Sequence, residues 1–370
     1  MKNSKLFVPI LCICLLVAMI AAIFSAGCAT PSSTTNPTTT TPAQTVIELK
    51  LADYDAAGTH LDPVWADFEW RVEARSGGTL KVKYIASGTL LDSSGMLEGI
   101  RTGVADIGKA PNSYYPAELP FNQLLALPGI SSNALLSTKI LNDMKDDYYY
   151  QDWEALGLVP LSYKIGSTYN PYSPKQPLTS LDDLKGLKCR TPGGAITDAL
   201  ESLGAVPINV TFTEVYDACQ KGVIDCVPHG QGLLFAYLKL HELGDPGWWL
   251  DIGGLGAYVC TYFTNQQLWD SLSPEHQQIL DEELDRVNFR WAEQDGGRDA
   301  EALQLASSNG VIINTISSAE LELMSEYLQP IVDEYIVDIE AQGFPAQETL
   351  DEFLKRKSEF TQYWSNMPFV

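Results

Sequence analysis

The stretch 186-GLKCRTPGGAITDALESLGAVPI-208 decides how this chain is read. A short apolar run ends in Arg190, the turn Thr191-Pro192-Gly193-Gly194 follows, and Ala195, Ala199, Leu200 and Leu203 then recur at helical spacing. Glycine and proline mark the change of period, so the layout is strand, tight turn, helix. Arg190 falls at the C-terminal mouth of the strand, the end at which open α/β sheets hold their ligands.

The same alternation recurs on both sides. Toward the N-terminus, 46-VIELKLAD-53 alternates as a strand, and Leu61, Val64, Trp65, Phe68 and Val72 share one face of a helix over 61–75. The segment 77-GGTLKVKYI-85 is a turn and a strand, a helix with Met96, Leu97 and Ile100 follows, and a short strand covers 105–108. Another strand is read at 158-LVPLSYKIG-166. Toward the C-terminus come strand 205–210, helix 213–222 and strand 223–229, then 257-AYVCTYFTNQQLWDSL-272 as a strand running into a helix. Residues 275–308 are helical apart from Gly296-Gly297, and further helices cover 318–341 and 347–362.

Such βαβα order predicts an α/β fold of sheets covered by helices. The pair 99-GIRTGVADIG-108 and 219-CQKGVIDCV-227 echo each other, as two similarly built lobes would. A chain that crosses between the lobes more than once makes a hinge.

The chain has 370 residues, enough for two domains with substantial cores, and its 45% hydrophobic and 19% charged residues are those of a globular protein. A formal net charge of −23 argues against nucleic acid as a partner, since no basic stripe exists to replace phosphate counterions.

Lys2 and Lys5 precede an apolar run from Phe7 to Phe24, and small residues follow in 24-FSAGC-28, the order of a secretory signal. Cysteine after Ala26-Gly27 resembles a bacterial lipobox with Ser25 in place of the usual leucine, making Cys28 the lipidated first residue of the mature chain. An uncleaved membrane anchor is the other reading, and both put the body outside the cytoplasm. Residues 1–27 are thus a signal and 28–45 a Thr/Ser/Pro-rich tether. Cys189, Cys219, Cys226 and Cys260 allow two disulfides in three pairings, or buried free thiols.

No catalytic constellation stands out. His60, His229, His241 and His276 lack the spacing of a zinc site, and no nucleophile elbow or P-loop occurs. The glycines of 252-IGGLGA-257 lack the context of a dinucleotide loop. Arg190 leads the remaining polar residues, because a guanidinium fork matches a carboxylate with two parallel hydrogen bonds. The turn after it also offers backbone N–H groups at a helix N-terminus, which favour anions.

The body resembles the solute-binding proteins of tripartite ATP-independent (TRAP) transporters. The resemblance rests on 74-ARSGGTLKVKYIASGTL-90, 98-EGIRTGVADIG-108, 181-LDDLKGLKCRTPGG-194, 203-LGAVPINVTFTEVYDACQKGVIDCV-227 and 267-QLWDSLSPEHQQIL-280, and extends over roughly residues 46–345. It implies a two-lobed periplasmic-binding fold, each lobe a mixed sheet covered by helices, with a long bracing helix. It divides the body into 46–163, mainly lobe 1; 164–265, mainly lobe 2 with crossover strands; and 266–370, helices spanning both.

It further implies a receptor that is not an enzyme, captures a small organic acid and delivers it to a TRAP permease, with Arg190 as the carboxylate clamp and no cofactor or metal. His229 stands in 225-DCVPHG-230 where the family commonly has asparagine, and could titrate near its ordinary pKa of about 6.5. The second arginine of some dicarboxylate receptors would fall near 166-GSTYNPYS-173, which has none, arguing against a dianion. Tyr54, Tyr114, Tyr169, Asn170, Trp248 and Trp249 complete the candidate site, the aromatics suiting a monocarboxylate with a planar or apolar body. A ligand-sensing lipoprotein and an extracytoplasmic hydrolase are the competing readings.

Overall fold

The computed structural model describes residues 45–55, 57, 62–131 and 133–365. The expectations for the signal, Cys28, almost all of the tether and His60 lie outside the described residues.

The body opens with strand β1 (Ile47–Ala52), helix α1 (Asp62–Arg75), strand β2 (Leu80–Ile85), helix α2 (Met96–Arg101) and strand β3 (Ile107–Pro111). Helices α3 (Ala134–Met144) and α4 (Gln151–Ala155) lead to strands β4 (Leu158–Thr168) and β5 (Asn170–Ser173). Next come strand β6 (Lys188–Thr191), helix α5 (Ala195–Ser202), strand β7 (Val206–Asn209), helix α6 (Val215–Lys221) and strand β8 (Val227–His229). Strands β9 (Trp248–Asp251) and β10 (Ala257–Asn265), helices α7 (Gln266–Ser271) and α8 (Pro274–Ser308), strand β11 (Ile312–Thr315), and helices α9 (Ser318–Ala341) and α10 (Ala346–Ser365) complete it.

Two sheets form the lobes. The first runs β2-β1-β3-β10-β4, with β2, β1 and β3 parallel and β10 antiparallel to both its neighbours. Alternation in β1 turns Leu49 and Leu51 inward and leaves Glu48 and Lys50 exposed. Helix α1 lays Trp65, Phe68 and Val72 into the core that holds Leu51, Leu161, Tyr262 and Leu284. Each such side chain contributes about 1.5–3 kcal/mol by burial.

The second sheet runs β11-β9-β5-β8, and β6 pairs in parallel with β7. A bridge between Cys189 and Cys226 joins β6 to the approach of β8, and Arg190 N donates to Cys226 O at 2.8 Å. The four cysteines of the body are buried free thiols, so neither disulfide forms.

The chain changes sheets at Tyr169, within the segment 164–265. Tyr169 N donates to Gly256 O and Leu255 N donates to Tyr169 O, both at 2.9 Å, so the two crossing strands stay paired. Gly256 has φ +132°, and a Cβ there would lie 2.2 Å from Ala126 O. Only glycine fits that conformation and that approach. The 252-IGGLGA-257 stretch is therefore crossover backbone.

Helix α8 serves both lobes. Ser273 caps it by accepting from His276 N at 3.2 Å, with Pro274 in the first turn. Near its start Glu283, buried, accepts from Arg71 at 2.6 Å and from Arg75 at 2.8 Å, which fastens it to α1. Near its end Ala302 and Ala306 enter the core around Val215 and Trp249 in the second lobe. Among the described residues no helix is long and apolar enough to cross a membrane.

Candidate functional site

A cavity of about 600 Å³ lies where the two sheets face each other. Strand β6 brings Arg190 to it, β8 brings His229, the end of β4 brings Lys164 and Ser167, β10 brings Tyr258 and α8 brings Trp291.

Arg190 is 1% exposed. Its Nε donates to Val210 O at 3.0 Å, and one terminal nitrogen donates to the Tyr114 hydroxyl at 3.2 Å. The other terminal nitrogen, Nη1, is buried and has no hydrogen-bond partner among the described residues. A buried donor without an acceptor is costly, and more so on a charged group. A carboxylate in the cavity would satisfy it.

In the turn Thr191-Pro192-Gly193-Gly194, Pro192 lines the cavity, Gly193 N donates to Thr191 Oγ1 at 3.0 Å, and the backbone lies against Ser113 of the first lobe. Gly193 has φ +112°, and a Cβ there would sit 2.8 Å from Ser113 O.

Nδ1 of His229 accepts from Gly230 N at 2.7 Å, so the neutral ring carries its proton on Nε2. Burial, together with the charges of Arg190 and Lys164, holds His229 well below its ordinary pKa. This corrects the expectation of titration near pH 6.5: beside these cations His229 is a fixed neutral donor. Tyr169 and Phe212 flank its ring at centroid distances of 4.8 and 5.6 Å.

Arg190, His229, Tyr54, Tyr114 and Tyr169 all line the cavity. Asn170, Trp248 and Trp249 do not. Asn170 Oδ1 accepts from Ile252 N at 3.0 Å and helps hold the crossover. Trp248 and Trp249 belong to β9, paired with β11 and β5, and Trp249 packs against Val215 and Phe235. That strand pairs with residues far off in the sequence, so the Pro-Gly turn before it is the only local signal.

Lys164, Trp291 and Tyr258 are among the lining residues that the sequence reading did not name. Lys164 is 2% exposed, and its ammonium lies 3.6 Å above the Trp291 ring. Its signal in the sequence is a lone charge in an apolar strand. Trp291 sits in a long amphipathic helix, where one aromatic among many gives no warning. Tyr258 bonds hydroxyl to hydroxyl with Tyr54. Behind them Lys109, fully buried, pairs with Asp53 at 2.6 Å and Asp55 at 2.5 Å and lies 4.2 Å over the Tyr54 ring. Burial works against its charge, but the two carboxylates outweigh it and hold its pKa above the ordinary value.

A cleft between two α/β lobes, floored by a buried arginine with an unused donor, is the layout of a protein that encloses a small ligand. Residues 56–338 match bacterial extracellular solute-binding protein family 7 (DctP), and the chain belongs to that family of binding proteins rather than enzymes.

The chain is 26% identical over 308 residues to the C4-dicarboxylate-binding periplasmic protein DctP of Rhodobacter capsulatus, covering 81% of this chain and 90% of that one. It is 27% identical over 210 residues to the 2,3-diketo-L-gulonate-binding periplasmic protein YiaO of Escherichia coli strain K12, covering 56% and 63%. For some curated relatives the matched share is smaller, down to 34% of their length. Among solved structures, a marine-metagenome TRAP solute-binding protein specific for aromatic acids, in complex with 3-hydroxybenzoate, superposes with a TM-score of 0.76. It is 22% identical, and the match covers 85% of this chain and 99% of that one.

Proposed function

We propose that this protein is an extracytoplasmic receptor that closes its two lobes on a small organic acid and hands it to a TRAP-type permease. The observation that carries the reading is the buried, unpartnered Nη1 of Arg190 in the cavity wall. A carboxylate there accepts from Nη1, while Val210 O and the Tyr114 hydroxyl hold the rest of the guanidinium in place. His229 adds a neutral donor. Ligand favours the closed state only by binding it more tightly than the open one.

The relatives named as binding dicarboxylates or sugar acids support a carboxylate as the ligand. Cys28 is the proposed lipid attachment point, and the mass of the mature N-terminal peptide checks it.

The deciding experiment is a thermal-shift screen of the purified full-length protein against aliphatic and aromatic carboxylates, with Arg190→Met alongside. At about 100 times Kd a ligand that binds only the native state adds about 2.7 kcal/mol, which raises Tm by a few degrees. A shift with some acid that disappears in Arg190→Met is the expected result. A shift that survives the substitution removes Arg190 as the anchor, and no shift with any acid removes the receptor reading.

A further inference from the structure

A second cavity, of about 460 Å³, lies where segment 116–123 of the first lobe faces α5 of the second, with α9 along its wall. It shares no lining residue with the ligand cavity. Helix α9 crosses the lobe junction here. Met324, Leu328 and Ile331 enter the core that holds Leu200 and Cys226, whereas Val332, Ile336 and Ile339 enter the core that holds Phe121 and Ile165. The relative position of the lobes therefore shapes this cavity.

Four carboxylates line it. Asp198 and Glu201 stand three apart on α5, and Glu334 and Asp338 stand four apart on α9, so each pair shares one helix face. Among the described residues no lysine, arginine or histidine lines the cavity. The Tyr335 hydroxyl donates to Asp198 at 2.7 Å, a neutral contact that leaves the charge uncompensated.

An orphaned acceptor joins them. Gln123 is 2% exposed, and its Nε2 donates to Asn112 O at 2.9 Å and to Leu119 O at 3.1 Å. That arrangement turns Oε1 toward the start of α5, where a Cβ on Gly194 would lie 2.5 Å away. Oε1 has no hydrogen-bond partner among the described residues. A buried amide carbonyl without a donor is costly, and ionised carboxylates cannot supply one.

We propose that this junction cavity binds a small organic cation with several N–H donors, an amine or a guanidine, and that the bound cation stabilises the lobe arrangement seen here. The carboxylates of α5 and α9 meet its charge, and Gln123 Oε1 accepts one of its N–H groups. Contact with both lobes gives the cation a higher affinity for this arrangement than for one in which the lobes have separated. A metal ion suits the cavity less well. Among the described residues no three carboxylate, imidazole or thiol groups converge closely enough to hold one, and the volume is that of a small molecule.

Calorimetric titration of the full-length protein with agmatine, at fixed ionic strength, tests the site. Agmatine carries a guanidinium and an ammonium but no carboxylate, so it does not compete for Arg190. Saturable binding is expected. Gln123→Met should weaken it about 10-fold, the weight of one hydrogen bond to a charged group. Glu334→Lys, at an exposed position that spares the fold, should abolish it. Tetramethylammonium, a cation without N–H donors, should bind at least about 10-fold more weakly than agmatine. Small-angle scattering should show a smaller radius of gyration with agmatine in the wild type and no change in Glu334→Lys.

No binding of agmatine, or binding that Glu334→Lys leaves intact, overturns the site. Equal affinity for tetramethylammonium overturns the donor requirement and reduces the cavity to a patch of screened charge. Binding with unchanged scattering overturns the coupling to the lobes. None of these outcomes bears on Arg190, so the receptor reading is tested separately.

Discussion

Arg190 of β6 donates to the hydroxyl of Tyr114, which follows β3, at 3.2 Å, so the residue expected to hold the ligand also ties one lobe to the other. Phe212 N donates to the same oxygen at 3.2 Å. Tyr114 is thus a first-lobe group that two second-lobe donors share when the cleft is shut.

Tyr114→Phe should lower ligand affinity about 10-fold, because closure would leave two buried donors without their acceptor at about 1–3 kcal/mol. Titration calorimetry on the variant gives the number. An unchanged Kd would show that the bond adds nothing to the closed state.

Gly193→Ala should impair closure. Its φ of +112° strains any side chain, and the added Cβ would meet Ser113 O of the opposite lobe at 2.8 Å. Gly186→Ala separates the two effects, since φ is +75° there but open space surrounds it. Gly186→Ala should lower Tm and leave affinity alone, whereas Gly193→Ala should lower both. Equal affinities in the two variants would rule out a lobe-to-lobe clash.

The depressed pKa of His229 sets a pH dependence with a definite sign. Below its unfolded pKa of about 6.5 the unfolded chain binds a proton that the folded ring refuses. Stability is therefore whole above about pH 6.5 and falls as pH drops toward the folded value, by about 1.4 kcal/mol per pH unit from this group. Denaturant melts of wild type and His229→Asn at pH 7.5 and 5.5 should show a smaller acid loss in the variant. Parallel losses would mean that His229 titrates normally.

The thiols of the body should be unreactive in the native state. Burial pushes Cys219 up to about 12 and Cys260 up to about 11, and burial beside Cys189 raises Cys226 further. A thiol reagent at pH 8 should label these four only in denaturant, as peptide mass mapping would show. Rapid native labelling of any of them would place that thiol nearer solvent than the fold allows.

Local pattern determined a good deal. The alternation of Leu49 and Leu51, the helical stripe of Trp65, Phe68 and Val72, and the capped start of α8 at Ser273-Pro274 are set by neighbours a few residues away, so their periods show in the sequence. Arg190 was legible for the same reason, as a charge ending an apolar strand before a Pro-Gly-Gly turn.

Strand order decided the rest. Trp249 and Trp291 are alike as residues, yet β9 carries the first into the core beside Phe235 and α8 carries the second to the cavity. Lys164 becomes a wall of the site only because β4 stays in the first sheet until Thr168, where it still pairs with Ala257. His229 loses its ordinary titration only because burial and two cations from different strands converge on it. Contacts between residues some tens of positions apart leave no period in the chain, so the identity of the cavity's walls, and the charge state within it, belong to the tertiary structure alone.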